Sequence, residues 1–123
     1  MRWLVDASNV IGSRPDGWWR DREGAVRRLI ADLERFAEAA GEPVTVVLDA
    51  GPPELAGRRE GVAVVLARRR GRDAADDEIV HLLEAHEAPA DVTVATSDAN
   101  LADRVRALGA HVEGARAFRS RLG

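Results

Sequence analysis

The 123-residue sequence contains no cysteine and no lysine. Without cysteine there is no disulfide and no thiolate zinc site, and thiol usage says nothing about compartment. All 18 basic residues are arginine, a bias that follows GC-rich codon usage and disfavours any active site that needs a lysine. No apolar run approaches the roughly 18 residues of a membrane span. The N-terminus runs straight into a strand pattern with no visible signal peptide, so the cytoplasm is the expected compartment and no membrane partner is expected. Excess positive charge is also missing. The net charge is −3, which argues against a protein that holds nucleic acid through overall basicity. What is present is ordinary for a globular chain, 46% hydrophobic and 32% charged, and the length fits one domain over residues 1–123.

Apolar runs alternate with helical periodicity along the chain. Strands are expected over about residues 2–6, 44–48, 61–67 and 92–95, with a short edge strand at 110–112. Between them lie helical patterns at 21–40, 73–86, 98–108 and 115–122. Val26, Leu29, Ile30, Leu33, Phe36 and Ala37 form the apolar stripe of the first, which Asp21 opens as N-cap and Gly41 stops. Residues 7–19 and 50–60 are rich in Gly and Pro and are expected to be loops. Strands alternating with helices imply βαβ units, hence an α/β fold around a mostly parallel sheet of about four to five strands.

Three acidic residues close or follow apolar runs: Asp6 after Trp3-Leu4-Val5, Asp49 after Val44–Leu48, and Asp98 after Val92–Ala95 and Thr96-Ser97. In an open parallel sheet, ligands bind outside the carboxyl ends of the strands, so the three carboxylates should face one crevice. A fourth cluster, Asp73, Asp76 and Asp77, opens a helix after the run at Val62–Ala67. Such a set repels itself unless a divalent cation neutralises it, which points to metal-dependent chemistry on a phosphate ester.

Each of these residues also has a purely structural explanation. Asp6 and Asn9 can satisfy local turn backbone. Asp73 can cap its helix, and acids in a first turn suit the helix dipole. Ser97 or Asp98 can cap the helix that follows. Capping does not account for Asp76, which shares the stripe of Ile79, Val80 and Leu83 that faces the sheet; a carboxylate there should turn into the cleft. Asp49 adjoins Gly51-Pro52 and can be a turn residue, and Asp103 is expected on the surface near Arg106. Arg58 and Arg59 lie in one loop, and Arg68, Arg69, Arg70 and Arg72 precede the acidic helix. Charge runs are usually solvated, but arginines beside an acidic cleft can hold flanking phosphates of a polynucleotide. The pair Trp18-Trp19 in a polar loop is expected to split, one ring packing on the core and one exposed, with base stacking as the functional use. His81, His86 and His111 have neither metal-ligand nor triad spacing.

In order and spacing, Val5-Asp6-Ala7-Ser8-Asn9-Val10-Ile11-Gly12, Val46-Val47-Leu48-Asp49-Ala50, Asp73-Ala74-Ala75-Asp76-Asp77-Glu78-Ile79 and Ala95-Thr96-Ser97-Asp98 resemble the NYN domains of the PIN-like nuclease superfamily, specifically the YacP-like branch. The resemblance implies a PIN-like three-layer α/β/α fold and a Mg²⁺- or Mn²⁺-dependent endoribonuclease. Carried over by position, Asp6, Asp76 and Asp98 would be the metal-site acids, Asp77 a further catalytic acid and Asn9 a support to the site. Arg68, Arg69, Arg70, Arg72 and Ser97 are the expected RNA contacts. The further acid that PIN nucleases take from the helical region after the first strand has no evident match, since Glu34 and Glu38 fall on the first long helix and neither can be placed in the cleft.

The expected reaction is hydrolysis of a phosphodiester in single-stranded RNA, with attack by a metal-bound water and no general-base histidine. DNA is the rival substrate, because nothing in the chain visibly reads a 2′-hydroxyl. A ribosome or another presenting partner is a candidate for positioning the substrate. The alternative function is a non-catalytic RNA- or partner-binding module of the same fold. A phosphoacceptor or phosphatase built on Asp49 is disfavoured, because receiver-like and haloacid-dehalogenase-like sites both use a lysine.

Overall fold

The computed structural model describes residues 2–71 and 73–123; Arg72, one of the expected RNA contacts, lies outside the described residues. The chain runs β1 (Arg2–Asp6), α1 (Ala7–Ile11), α2 (Arg22–Ala40), β2 (Val44–Leu48), β3 (Gly57–Arg59), β4 (Val62–Leu66), α3 (Ala74–Glu84), β5 (Val92–Ala95), α4 (Ala99–Ala107), β6 (His111–Glu113) and α5 (Ala115–Arg121). The six strands form one sheet in the order β3-β4-β2-β1-β5-β6. All pairings are parallel except β3 with β4.

The strand order reverses at β1. From β1 the chain builds β2, β3 and β4 on one side, then crosses to lay β5 and β6 on the other. The gap between the carboxyl ends of β1 and β5 is therefore the topological switch point, where open α/β sheets place their ligands.

Side chains alternate across each strand, and both faces are covered. Trp3, Val5, Val44, Val46 and Leu48 pack with α1, α2 and α5, through residues such as Val10, Leu29, Leu33 and Phe118. Leu4, Val47, Val92 and Val94 pack with α3 and α4, through Ile79, Leu83, Leu101 and Val105. The result is a three-layer α/β/α sandwich. The N-terminus of α2 is capped by Asp21, whose carboxylate accepts from the Gly24 amide at 3.0 Å. Its C-terminus ends on Gly41 at φ 65°, a left-handed conformation that glycine adopts without a Cβ penalty. Among the described residues, no helix is long and apolar enough to cross a membrane.

Two segments expected as loops are partly regular. Residues 7–11 continue directly from β1 as α1, because Ala7, Val10 and Ile11 bury one side of a short turn of helix against the core. Residues 57–59 form β3, an antiparallel edge strand bearing Arg58 and Arg59, so the sheet has six strands rather than four to five. Three residues are too few to show strand alternation, and the buried Leu55 that tethers this loop is a single apolar residue among Gly and Pro.

On the α2 side, Trp3, Phe36 and Phe118 form an aromatic cluster with ring centroids 4.9 Å apart for Trp3–Phe118 and 5.6 Å for Phe36–Phe118. Phe118 is fully buried and fastens α5 to the sheet. Phe118→Ala should lower unfolding free energy by about 3–5 kcal/mol, the usual cost of emptying a buried phenylalanine site. Urea unfolding followed by circular dichroism checks this, and a loss below about 1 kcal/mol would show that α5 is not fixed by this contact.

Candidate active site

The carboxyl end of β1 places Asp6 beside the carboxyl end of β5. Asp6 is only 3% exposed, and Thr96, just past β5, is 1% exposed. A buried carboxylate needs donors. The Thr96 hydroxyl donates to Asp6 Oδ2 at 3.1 Å, and the Asn9 backbone N–H also bonds the Asp6 side chain. Thr96 Oγ1 in turn accepts from the Asp98 amide at 3.1 Å. The Asn9 side chain crosses the same gap: its Oδ1 accepts from the Ser97 amide at 2.8 Å. Ser97 Oγ accepts from the Ala115 amide at 2.8 Å, which ties the start of α5 to the site. These bonds hold the turn after β1, the turn after β5 and the last helix in one frame.

Asp98 caps α4, its Oδ1 accepting from the Leu101 amide at 2.9 Å. It sits in the β/extended conformation typical of an N-cap. Asp49, exposed, follows β2 two residues beyond Val47, the register partner of Asp6. Asp76, half-buried in the first turn of α3, comes in over the same strand ends.

The electrostatics show that these acids share one field. Burial is the main force holding the Asp6 carboxyl above the usual carboxylate range; Thr96 and Asn9 oppose it, and the charges of Asp98 and Asp49 add to it. The Asp76 carboxyl is pushed up to about 6, first by desolvation, then by Asp6, Asp98 and Asp73, with Arg104 acting in the opposite sense. Asp6, Asp76 and Asp98, expected at the ends of three separate elements, are thus brought together, with Asp49 on the border.

Other expected site residues take different places. Asp77 points to α4, where its Oδ1 meets Arg104 Nη1 at 3.2 Å in a half-exposed ion pair. Asp73 precedes α3 in a left-handed conformation, φ 63°, and makes no side-chain capping bond, contrary to the N-cap expectation. Asp tolerates that region better than most residues. Arg68 is anchored rather than loose: its backbone N and its Nε both bond Glu78 Oε1 at 3.1 Å. Arg69 and Arg70 are exposed in the same turn. Asp103 does lie beside Arg106, at 4.0 Å on the surface.

Glu78 and Arg104 are the residues that sequence reasoning passes over. Glu78 is 6% exposed and holds the arginine-rich turn to α3. Its signal was available, because it falls on the inward stripe with Ala75, Ile79 and Leu83 and so had to be a buried acid with a partner. Nothing local marks Arg104. Its partnership with Asp77 exists only because α3 and α4 lie side by side.

The donor set consists of carboxylate oxygens, which suit a hard divalent cation. Among the described residues, no group of three or more histidine, cysteine, aspartate or glutamate side chains is placed to hold a metal ion.

Residues 3–123 match the family model of the YacP-like NYN domain. The chain is similar in structure to Rae1 (YacP) from Bacillus subtilis, with 27% identity and a TM-score of 0.82 over 99% of this chain and 73% of that one. A crystal structure of a point mutant of that protein aligns at 26% identity and a TM-score of 0.79, covering 98% of this chain and 74% of the other. No curated protein matches the chain.

A carboxyl pKa raised from 3.8 to about 6 means that the native state keeps a proton the unfolded chain releases. Stability therefore falls as pH rises through that window, and the cost is complete above it. Asp76→Asn removes the cost, so in EDTA the variant should melt above the parent at about pH 8, with the gain shrinking towards zero near pH 4. Thermal melts at the two pH values decide; an equal shift at both would show that Asp76 does not carry the strain.

Proposed function

The chain belongs to the family of YacP-like NYN domains, and on that premise we propose that it is a metal-dependent endoribonuclease cutting single-stranded RNA at the β1–β5 switch point. The observation that carries this reading is the buried Asp6 carboxylate at the carboxyl end of β1, bonded to Thr96 just past β5, which in turn accepts from the Asp98 amide, with the charges of Asp6 and Asp98 both acting on Asp76. Like charges gathered at a ligand-binding crevice, one of them buried, are a costly arrangement that a cation relieves.

Asp6, Asp76 and Asp98 would hold the ion. When bound, Mg²⁺ or Mn²⁺ supplies a water of lowered pKa and neutralises charge on the phosphodiester. The protein's own part is positioning. Thr96 and Asn9 fix the Asp6 carboxylate. The bond to the Leu101 amide fixes Asp98. Arg104 opposes the rise at Asp76 and pairs with Asp77. Asp77 contributes through that pair, and Asn9 through its bond to the Ser97 amide. Arg68, Arg69 and Arg70, joined in sequence by Arg72, would bind phosphates flanking the scissile one, and Ser97 would take a neighbouring strand contact. RNA is the partner this assigns, and a presenting body such as a ribosome is compatible with a site that opens outward from the sheet.

The test is cleavage of an end-labelled single-stranded RNA in Mn²⁺, in Mg²⁺ and in EDTA. Cutting should need the metal. Asp76→Asn should lose more than about 100-fold, beyond the range seen when only an outer-shell partner of a metal is removed. Asp77→Asn should lose less than Asp76→Asn. Full activity in Asp76→Asn would overturn the assignment, and RNA retention without cutting in any metal would leave a binding module in its place.

A further inference from the structure

Next to the carboxylates lies a cavity that the proposed chemistry leaves unused. It opens between α1, the turn at Trp18–Arg20, the start of α2 and the loop after β2, and its volume is about 410 Å³. That is within the range of about 300–1,000 Å³ typical of ligand pockets. Its floor is apolar, made by Ile11, Trp18, Val26 and Leu55. Exposed Ser8, Arg22, Glu23 and Asp49 ring it.

We propose that this cavity is a nucleobase subsite, taking one unstacked base of the RNA strand next to the phosphate at Asp6, Asp76 and Asp98. The inference rests on the ribonuclease reading for the identity of the strand. Three observations carry it. First, the floor offers an aromatic face. Trp18 is half-buried against the core, and the Arg22 guanidinium lies 5.4 Å from its ring centroid. Aromatic rings and guanidinium planes are the surfaces on which splayed single-stranded bases stack.

Second, the ring of polar groups supplies acceptors in Asp49, Glu23 and Ser8 and donors in Arg22 and Ser8, the complement that a base edge needs and an aliphatic ligand does not. Glu23 is also paired with Arg27 at 3.2 Å, so Asp49 and Ser8 are the acceptors nearer to hand. Third, the cavity neighbours the acidic site. Asp49 lines it from the end of β2, two residues beyond Val47, the register partner of Asp6, so adjacent parts of one strand can reach both.

The subsite holds a single base. Trp19, 50% exposed, stands at 86° to Trp18 with centroids 5.8 Å apart. Its free face cannot continue a stack begun on Trp18, and a second base meeting it would have to turn away.

The test measures fluorescence anisotropy of a labelled single-stranded RNA with the Asp76→Asn protein in Mg²⁺, with the RNA checked for integrity afterwards. One abasic nucleotide is moved through the strand position by position. At one position the abasic RNA should bind about 5- to 100-fold more weakly, the effect of losing one base–aromatic stack. Trp18→Leu should lose a similar factor, Trp18→Phe less, and the Trp18→Leu and abasic losses should not add.

A flat abasic scan overturns the subsite, as do losses that add in full or the absence of RNA binding. The scan leaves Trp18 intact, so it decides even if the tryptophan variants do not fold. Failure of the ribonuclease reading looks different: the parent protein would not cut RNA in Mg²⁺ or Mn²⁺ while the position-specific abasic loss persisted.

Discussion

The bond from Thr96 to Asp6 is the contact on which the site depends. It joins two strand ends that only the sheet brings together, and it lets a carboxylate exist at 3% exposure. An apolar residue at position 6 would leave the Thr96 hydroxyl and the Asn9 amide without their acceptor. Removing the Thr96 hydroxyl would leave Asp6 buried with fewer donors. Either change costs more than one ordinary hydrogen bond, because it strands a polar group in a low-dielectric gap. The rest of the frame is built outwards from there: Thr96 orients the Asp98 amide, Asp98 caps α4, and Asn9 and Ser97 stitch the turn after β1 to the start of α5.

The frame and the charge pattern serve different ends. Hydrogen bonds place Asp6 and Asp98 rigidly. Asp76 is placed by α3, whose buried Ile79 and Leu83 set the rotation of the helix. Its proton affinity is raised first by burial and then by the charges of the other acids. A site of this kind is stable only as a compromise, partly protonated or partly neutralised. The Asp77–Arg104 pair lies at the edge, exposed enough that its own contribution to stability is small.

Much of this was legible in the sequence because it followed from periodicity. Val5-Asp6 and Ala95-Thr96-Ser97-Asp98 are strands ending in polar residues, and a parallel sheet sends such ends to one crevice. Asp76 was legible as a carboxylate on an apolar stripe. The Trp18–Trp19 split into one packed and one exposed ring also followed from local polarity. The remainder was not local. Strand β3 is too short to show alternation, α1 is too short to show a helical stripe, and the Arg104–Asp77 pair depends on two helices meeting in space. Asp73 stands at the N-cap position without capping through its side chain, and composition at a helix start does not reveal this; its backbone turns left-handed, and the carboxylate makes no capping bond. Glu78 was visible on its stripe, but its partner, the Arg68 amide, was not.

The Ser97–Ala115 bond has a consequence for how the protein comes into being. Strand β1 is synthesised before its neighbour β5 and before the helix that braces the site, with 90 residues separating Asp6 from Thr96. Contacts this distant close late, because the loop entropy must be met before they form. A nascent chain therefore carries Asp6 through some 90 residues of elongation before Thr96 and Asp98 exist to complete the constellation. Competence arrives as a late event of folding, when β5 and α5 dock against a strand made long before them.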